Sequence, residues 1–297
     1  MKKRSFITLI LILVGVTAIA LSIMTVNLAL NPTPAFNGDR AYADVKTQDA
    51  FGPRIPGTPA HAQVVQWISD ELSKASWQVE LQQTSLGGHP IQNIIARRGA
   101  SGQPWLILGA HYDSRMAADQ DPVLINRIRP VPGANDGSSG VAVLLEVARN
   151  LPTNLQKQVW LVFFDAEDQG DLPGWDWILG SRAFVNSLSD KPDAAVILDM
   201  IGDKDLNIYK ELNSNPVLAD TIWKIAAGLG YQKQFISQGK YRMKDDHTPF
   251  LEKGITAVDI IDFDYPYWHT TADTPDKVSA SSLQTVGDTL LKWLLTS

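Results

Sequence analysis

Unbroken apolar runs that stop at an acidic or histidine residue recur along this chain. Residues 105–110, 159–164 and 194–198 are rich in β-branched and aromatic side chains, and they run into His111, Asp165 and Asp199. Runs of this length and composition are typical of strands that are buried on both faces of a parallel sheet. Open α/β sheets bind their ligands at the carboxyl ends of such strands. The pattern therefore predicts a ligand site at one edge of the sheet.

Segments with a period of about 3.6 residues alternate with these strands and predict helices. The helices are expected at about 60–74, 141–151, 180–188, 215–229 and 281–295, and further strands at 77–82, 93–97 and 255–261. Thr58 and Pro59 give the first helix an N-cap and a proline at its first position. This alternation predicts a single α/β domain with a mostly parallel central sheet.

The N-terminal residues form a separate segment. Residues 1–30 begin MKKRSF and continue for about 25 residues without a charge, which exceeds the apolar region of about 7–15 residues of a signal peptide and is long enough to span a bilayer. A retained transmembrane signal anchor is favoured, with the domain outside the cytoplasm (periplasmic or at the cell surface). Ala18-Ile19-Ala20 leaves cleavage and secretion as the alternative. Residues 31–50 are interpreted as a spacer and entry segment, and 51–297 as the catalytic domain.

Composition narrows the chemistry of the predicted site. The net charge is -6 and the pI is about 5.3, so nucleic acid is not expected as a partner, because phosphate binding needs clustered lysine and arginine. The chain has no cysteine, which excludes disulfides, thiolate nucleophiles and cysteine-bound zinc. A metal would have to be held by carboxylates and by the five histidines, which are His61, His89, His111, His247 and His269.

Several loop residues have two interpretations. Residues 116–132 lack apolar periodicity and contain three prolines, which indicates a long active-site loop. Asp136, in the small-residue stretch 133–140, would either bind a ligand or cap the helix that follows. Trp175 and Trp177 would either cover a pocket or tuck into the core.

Ligand-type residues at strand ends suggest a metal site that is assembled from distant parts of the chain. A catalytic zinc takes three protein ligands from histidines and carboxylates and keeps one position open. The candidate ligands are His111, Asp136, Asp168, Asp199 and His269.

Eight short motifs carry a family resemblance from about residue 54 to the C-terminus. They are GPRIPGT, AHYDS, GANDGSSGVAVLLEVAR, FFDAED, GSRAF, LDMIG, DDHTPF and YWHTTADT. In this order and spacing they resemble the zinc exopeptidase superfamily, which contains leucyl-type aminopeptidases and glutaminyl-peptide cyclotransferases. The resemblance implies the phosphorylase/hydrolase-like fold, in which a mixed, mostly parallel sheet has helices on both faces.

The resemblance also implies a role for each matching residue. Asp136, Asp168 and His269 resemble the ligands of one zinc, and Glu167 resembles the general acid/base. His111 and Asp199 resemble the additional ligands of a second zinc in two-metal aminopeptidases. Asp168 departs from the pattern, since these families more often have Glu there. The expected cofactor is therefore one zinc ion or two.

Two reactions on peptide or protein N-termini are open. An aminopeptidase hydrolyses the first peptide bond, whereas a cyclase closes N-terminal glutamine to pyroglutamate and releases ammonia. Asp245 favours the cyclase, because with Glu167 and Asp199 it would form a proton-sharing network of acids. Trp268 favours it as well, as a wall of the substrate pocket that Trp175 or Trp177 would complete. A catalytically inactive binding ectodomain is the third alternative.

The remaining histidines, His61, His89 and His247, are expected to be structural. His247 directly precedes a short helix that is predicted to begin near Thr248. Its simplest role would be to cap that helix.

Overall fold

The computed structural model describes residues 35–99 and 105–296. Residues 36–297 form one compact unit. The predicted signal anchor at residues 1–30 lies outside the described residues. Among the helices that are described, none combines the length and the apolar character that a membrane crossing requires.

The order of elements follows the predicted alternation of strands and helices. The described helices are α1 (Gly38–Ala50), α2 (Pro59–Lys74), α3 (Ser138–Asn150), α4 (Leu179–Ser187), α5 (Pro216–Gly228), α6 (Thr248–Glu252) and α7 (Ala280–Thr296). The described strands are β1 (Gln78–Leu86), β2 (His89–Arg98), β3 (Trp105–His111), β4 (Gln158–Phe164), β5 (Ala194–Asp199), β6 (Ile208–Lys210), β7 (Phe235–Gly239) and β8 (Ala257–Ile261).

Six strands form one mixed sheet in the order β1-β2-β4-β3-β5-β8. Three of its five pairings, among β4, β3, β5 and β8, are parallel, and β1 and β2 join by antiparallel pairing. Because β4, β3, β5 and β8 point the same way, their carboxyl ends lie along one edge of the sheet. The predicted α/β domain with a mixed, mostly parallel sheet is confirmed.

Apolar side chains on both faces of the sheet are buried under helices. Along β4, Val159, Leu161 and Phe163 belong to the larger core cluster, whereas Val162 and Phe164 belong to a second cluster. The larger cluster includes residues of α1, α2, α3, α5 and α7, and the second includes residues of α4 and α6. The central strands are therefore buried on both sides, as their unbroken apolar runs predicted.

The folded unit starts earlier than the predicted domain boundary at residue 51. Helix α1 lies in the predicted spacer, yet Ala41 and Val45 on it are fully buried and it packs against α3 and α7. Asn37 caps it by accepting a hydrogen bond from the backbone N–H of Arg40 at 2.9 Å. Because so few large apolar residues occur in α1, its sequence has no clear helical stripe.

Candidate metal and catalytic site

The site lies where the parallel strands end. β3 ends at His111 and β5 at Asp199, while β4 is followed directly by Asp165, Glu167 and Asp168. All five residues are at least nine-tenths buried. The sheet therefore delivers one histidine and four carboxylates to the same edge, as the pattern of apolar runs predicted.

Asp136, Asp168 and His269 converge in the first of the two groups that the predicted ligands form. His269 Nε2 lies 2.9 Å from Asp168 Oδ1 and 3.9 Å from Asp136 Oδ2. The second oxygen of Asp168 and the Oδ2 atom of Asp136 are buried without a hydrogen-bond partner. One ligand atom from each residue lies within 4.8 Å of the others. One histidine and two carboxylates with unpaired oxygens fit a catalytic zinc.

His111, Asp136 and Asp199 form the second group. His111 Nε2 lies 3.1 Å from Asp136 Oδ1 and 3.2 Å from Asp199 Oδ1. Burial and nearby carboxylates raise the pKa of Asp199 to about 7. Burial and Asp136 likewise raise the pKa of Asp168 to about 6. Carboxylates that are this close together and shielded from water require a compensating cation. Because Asp136 belongs to both groups, the five predicted ligands can hold one metal ion or two.

Asp136 lies in the turn that precedes α3, a helix without a side-chain N-cap. Helix α3 begins at Ser138, and Gly137 at its N-cap position, with φ of 90°, offers no side-chain cap. A Cβ atom on Gly137 would lie 2.8 Å from the carbonyl oxygen of Asp113 and 3.1 Å from the His111 ring. The chain can therefore pass close to His111 only with glycine here. Asp136 does not cap α3, and its carboxylate faces the histidines instead.

Two carboxylates that the sequence did not single out hold the backbone of the ligand segments. Asp273 accepts hydrogen bonds from the N–H groups of Asn135 and Asp136 at 2.9 and 3.1 Å. Asp113 accepts hydrogen bonds from the N–H groups of Glu167 and Asp168 at 3.0 and 3.3 Å. Carboxylates of this kind fix ligand orientation in metal sites. Both roles depend on contacts between residues more than fifty positions apart, which no local pattern reveals.

Three of the six described non-glycine residues with a positive φ angle lie at the site. Ala166, Met200 and His269 have φ angles of 50°, 48° and 53°. Ala166 directly precedes Glu167, and Met200 directly follows Asp199. Non-glycine residues in this left-handed region cost about 1–3 kcal/mol each and persist where surrounding contacts hold them. These strained positions thus lower the stability of the fold and orient the side chains of the site.

Glu167 is a cavity acid whose surroundings favour its protonated form. Burial raises its pKa well above the usual range, and the charges of Asp245, Asp246 and Asp168 raise it further, although His111 opposes them. A carboxyl group with a raised pKa can take up and release a proton near neutral pH. This environment suits the general acid/base role that the resemblance implies for Glu167.

Asp245 lies among further buried charged groups that the sequence did not identify. The pKa of its neighbour Asp246 is raised well above the usual range by burial and by the charge of Asp245. His247 is fully buried, with Nε2 at 3.3 Å from Glu211 and Nδ1 at 3.6 Å from Asp259. The expectation that His247 caps α6 is wrong, because its side chain makes no cap hydrogen bond and turns inward.

Glu211 anchors the segment that carries Asp245. Its carboxylate accepts hydrogen bonds from the N–H groups of Asn213, Ser214 and Met243 at 2.7 to 3.0 Å. Burial alone would raise its pKa, but the nearby His247 and the backbone hydrogen bonds from Asn213 and Met243 outweigh burial and lower it to about 2. The charged form of Glu211 therefore stabilises the folded state.

We expect Glu211→Gln to lower the free energy of unfolding by about 2–3 kcal/mol, because it removes hydrogen bonds to a charged acceptor. In the wild type, this contribution is fully present above the unfolded pKa of about 4.5 and is lost as the pH falls towards 2. Urea unfolding at several pH values measures both effects. The exposed Glu252→Gln, which breaks only a surface pair with Arg182, is the control. Equal stability of the two variants at neutral pH would contradict the anchoring role.

A cavity with aromatic walls opens onto the ligand groups. It is lined by Asp136, Glu167, Asp168, Asp199, Asp245 and His269, together with Trp177, Trp268, Met200, Met243, Lys244, Ile261 and Phe263. The Trp268 ring stacks on His269 with the ring centres 3.8 Å apart. The Trp177 ring lies parallel to His269 at 5.9 Å and packs so closely on Gly170 that a Cβ atom there would be 2.1 Å from it. Both tryptophans can contact a bound substrate.

Trp175 does not line this cavity, so its predicted place in the substrate pocket is wrong. Its ring stacks on His89 at 3.5 Å between the ring centres, and His89 also bonds to the carbonyl oxygen of Gly174 at 2.8 Å. Trp175 thus packs on the start of β2, whereas Trp177 faces His269. His61, at 2.8 Å from Asp165 Oδ1, has a structural role of the kind that was expected for it and for His89.

Comparison with known sequences identifies one family and two kinds of relative. A model of peptidase family M28 matches residues 93–294. A glutaminyl-peptide cyclotransferase from Boiga irregularis is 25% identical over an alignment of 289 residues, which covers 82% of this chain and 77% of that protein. The aminopeptidase YwaD of Bacillus subtilis is 31% identical over 197 residues, which covers 60% of this chain and 38% of that protein.

Solved structures match almost the whole described domain. A Zn-dependent exopeptidase from Parabacteroides distasonis has a TM-score of 0.85 and 32% identity, with 89% of this chain and 100% of that chain covered. A glutaminyl cyclase from Tannerella forsythia has a TM-score of 0.83 and 34% identity at the same coverage. The fold is thus shared with both.

Proposed function

Because the chain belongs to peptidase family M28, we propose that it acts on peptide N-termini and that it converts N-terminal glutamine to pyroglutamate with release of ammonia. The protein is a zinc enzyme. Asp136, Asp168 and His269 would hold the zinc, and His111 and Asp199 would complete a second position. Bound zinc supplies a Lewis acid that polarises a substrate carbonyl group.

The remaining chemistry falls to side chains of the cavity. In cyclisation, the α-amine of the substrate attacks the carboxamide carbon of its own side chain. A ring C–N bond forms, the bond to the carboxamide nitrogen breaks, and one proton passes from the amine to the departing ammonia. Glu167, which is buried and has a raised pKa, would carry this proton. Trp177 and Trp268 would hold the substrate against the ligand groups.

One observation carries the choice of cyclisation: three acids that are not all needed as metal ligands face one cavity. Glu167, Asp199 and Asp245 all line it, and the charge of Asp245 raises the pKa of both Glu167 and Asp199. Buried acids that face one cavity can share a proton. Such a network suits a reaction whose central task is to move a proton from one nitrogen to another.

An aminopeptidase is the second candidate, and the shared ligand favours it. Asp136 contributes to both ligand groups, and a carboxylate between two metals is consistent with two-metal hydrolysis, as in aminopeptidases. The likeness to the aminopeptidase YwaD points the same way. The binding-only alternative receives no support, because Glu167 and all five predicted ligands are present and converge.

Product analysis distinguishes the two reactions. The purified, zinc-loaded protein would be incubated with two peptides that differ only in an N-terminal glutamine or leucine. We expect the glutamine peptide to lose ammonia and gain a pyroglutamyl end, while the leucine peptide stays intact. Free leucine without pyroglutamate would reverse the assignment in favour of an aminopeptidase.

We expect Trp268→Ala to raise the KM for the glutamine peptide about tenfold or more, since one aromatic wall can contribute more than 1.4 kcal/mol of binding. The effect on kcat should be smaller, because Trp268 touches the substrate and moves no proton. Trp175→Ala is the matched control, since it removes a nearby loop tryptophan outside the cavity. Steady-state kinetics of both variants provide the test. A similar KM in the two variants would show that Trp268 does not contribute to substrate binding.

A further inference from the structure

The tip of the long loop 116–132 exposes large apolar side chains to an unusual degree. Val123, Leu124, Ile125 and Ile128 have exposed fractions of 52%, 74%, 72% and 81%. They account for four of the nine exposed large hydrophobic residues in the described part of the chain. Single exposed apolar residues are ordinary, but four within six positions mark an interaction site.

This tip, residues 122–130, has an ordered internal framework. Asp121 at its base is buried, and its carboxylate accepts hydrogen bonds from the N–H of Val123 at 2.9 Å and from the N–H of Thr271 at 3.0 Å. Arg127 donates to the carbonyl oxygen of Asp121 at 2.8 Å. A short 3-10 turn spans Leu124–Asn126. The exposed apolar side chains therefore belong to a loop tip whose backbone is held by hydrogen bonds.

The charge of the tip contrasts with that of the whole chain. Residues 122–130 contain Arg127 and Arg129 and no acid, although the net charge of the chain is -6. Within the described residues neither arginine forms an ion pair, since they bond instead to the carbonyl oxygen of Asp121 and to the side chain of Asn126. The tip thus combines apolar side chains with two uncompensated positive charges.

Shape and charge together select the kind of partner. A side chain on a flat surface is partly covered by its neighbours, so exposed fractions above 70% at Leu124, Ile125 and Ile128 indicate a convex tip. A rigid protein partner would need a matching apolar hollow, whereas a bilayer interface deforms around an inserted side chain. Apolar residues interleaved with arginines are typical of segments that bind anionic lipid surfaces.

We propose that residues 122–130 contact an anionic lipid surface, with Val123, Leu124, Ile125 and Ile128 inserted among the headgroups and Arg127 and Arg129 bound to phosphates. The base of the tip is bonded to the ligand segment, because Gln120 donates its N–H to the carbonyl oxygen of His269 at 3.2 Å. Lipid contact would therefore hold the cavity at a fixed position relative to the membrane surface. The proposal does not depend on which reaction the site performs.

The absence of cysteine from the chain allows a clean test. Ile125→Cys in the full chain would carry a single environment-sensitive fluorophore at the tip. Val217→Cys, at an equally open position on α5 with an exposed fraction of 73%, is the matched control. Each labelled protein would be reconstituted with vesicles of phosphatidylcholine alone, or of phosphatidylcholine mixed with phosphatidylglycerol, that contain a spin-labelled quenching lipid. Turnover of a peptide substrate would verify that each variant is folded.

We expect the label at position 125 to shift to the blue and to be quenched in vesicles with phosphatidylglycerol, while the label at 217 stays aqueous. Adding Arg127→Gln and Arg129→Gln should lower the quenching at 125 to the level seen with phosphatidylcholine alone. A label at 125 that remains as aqueous as that at 217 would overturn the proposal. A blue shift without lipid that grows with protein concentration would also overturn it and assign the tip to a second copy of the chain.

Discussion

Glu167→Gln is expected to abolish measurable turnover while the protein keeps its zinc. The glutamine amide has nearly the same size but cannot accept and return a proton, and general acid/base catalysis contributes about a hundred- to ten-thousandfold to rate. Because Glu167 belongs to neither group of predicted ligands, the zinc content should not change. The measurements are kcat on the N-terminal glutamine peptide and metal analysis of the purified variant.

The control for this variant is a buried glutamate elsewhere. Glu146 is fully buried on α3 and pairs with Arg40 at 2.6 Å, so Glu146→Gln makes the same substitution at a buried glutamate without touching the cavity. It should alter stability and leave kcat nearly unchanged. Near-normal activity of Glu167→Gln would refute the proton-transfer role, and loss of zinc from that variant would make Glu167 a ligand.

Asp168→Asn is expected to weaken zinc binding itself. The carboxylate of Asp168 lies 2.9 Å from His269 Nε2 and has an unpaired buried oxygen. An amide supplies neither the charge nor the second equivalent oxygen. Removal of a residue that only supports a ligand typically costs ten- to a hundredfold in metal affinity, so loss of a ligand should cost at least about a hundredfold. Competition with a chelator of known affinity measures this directly, without an activity assay.

Asp168→Glu separates the charge of this ligand from its length. It introduces the residue that the family resemblance leads us to expect here and keeps the negative charge. We expect it to bind zinc far more tightly than Asp168→Asn, since a carboxylate remains. If both variants bound zinc equally well, Asp168 would not be a ligand, and the metal would have to be held elsewhere.

The sequence predicted the elements that build the site, because each strand carries its own signal. Unbroken apolar runs identified β3, β4 and β5, and the residues that follow them lie together at one edge of the sheet. The order of the eight motifs added Asp136 and His269 to the predicted site. Both lie on loops, where no apolar run marks them as ligands. Five candidate ligands could thus be named before their distances were known.

The sequence could not predict contacts that depend only on three-dimensional arrangement. Trp175 and Trp177 are two positions apart in one loop, yet one packs on His89 and the other faces His269. Asp113 and Asp273 act through backbone N–H groups far along the chain. His247 looked like a helix cap because local position suggests capping, whereas Glu211 and Asp259 draw its ring into the interior. Nothing local distinguishes these outcomes.

The two oxygens of Asp136 face different histidines, since Oδ1 is nearest to His111 and Oδ2 to His269. An ion that occupied one group would reduce the negative charge that this carboxylate offers to the other group. By thermodynamic linkage, the affinities of the two positions must change each other by the same factor. The number of zinc ions per chain would then not be a fixed property of the fold. It would vary with metal concentration along a binding curve whose shape reports the coupling between the two positions.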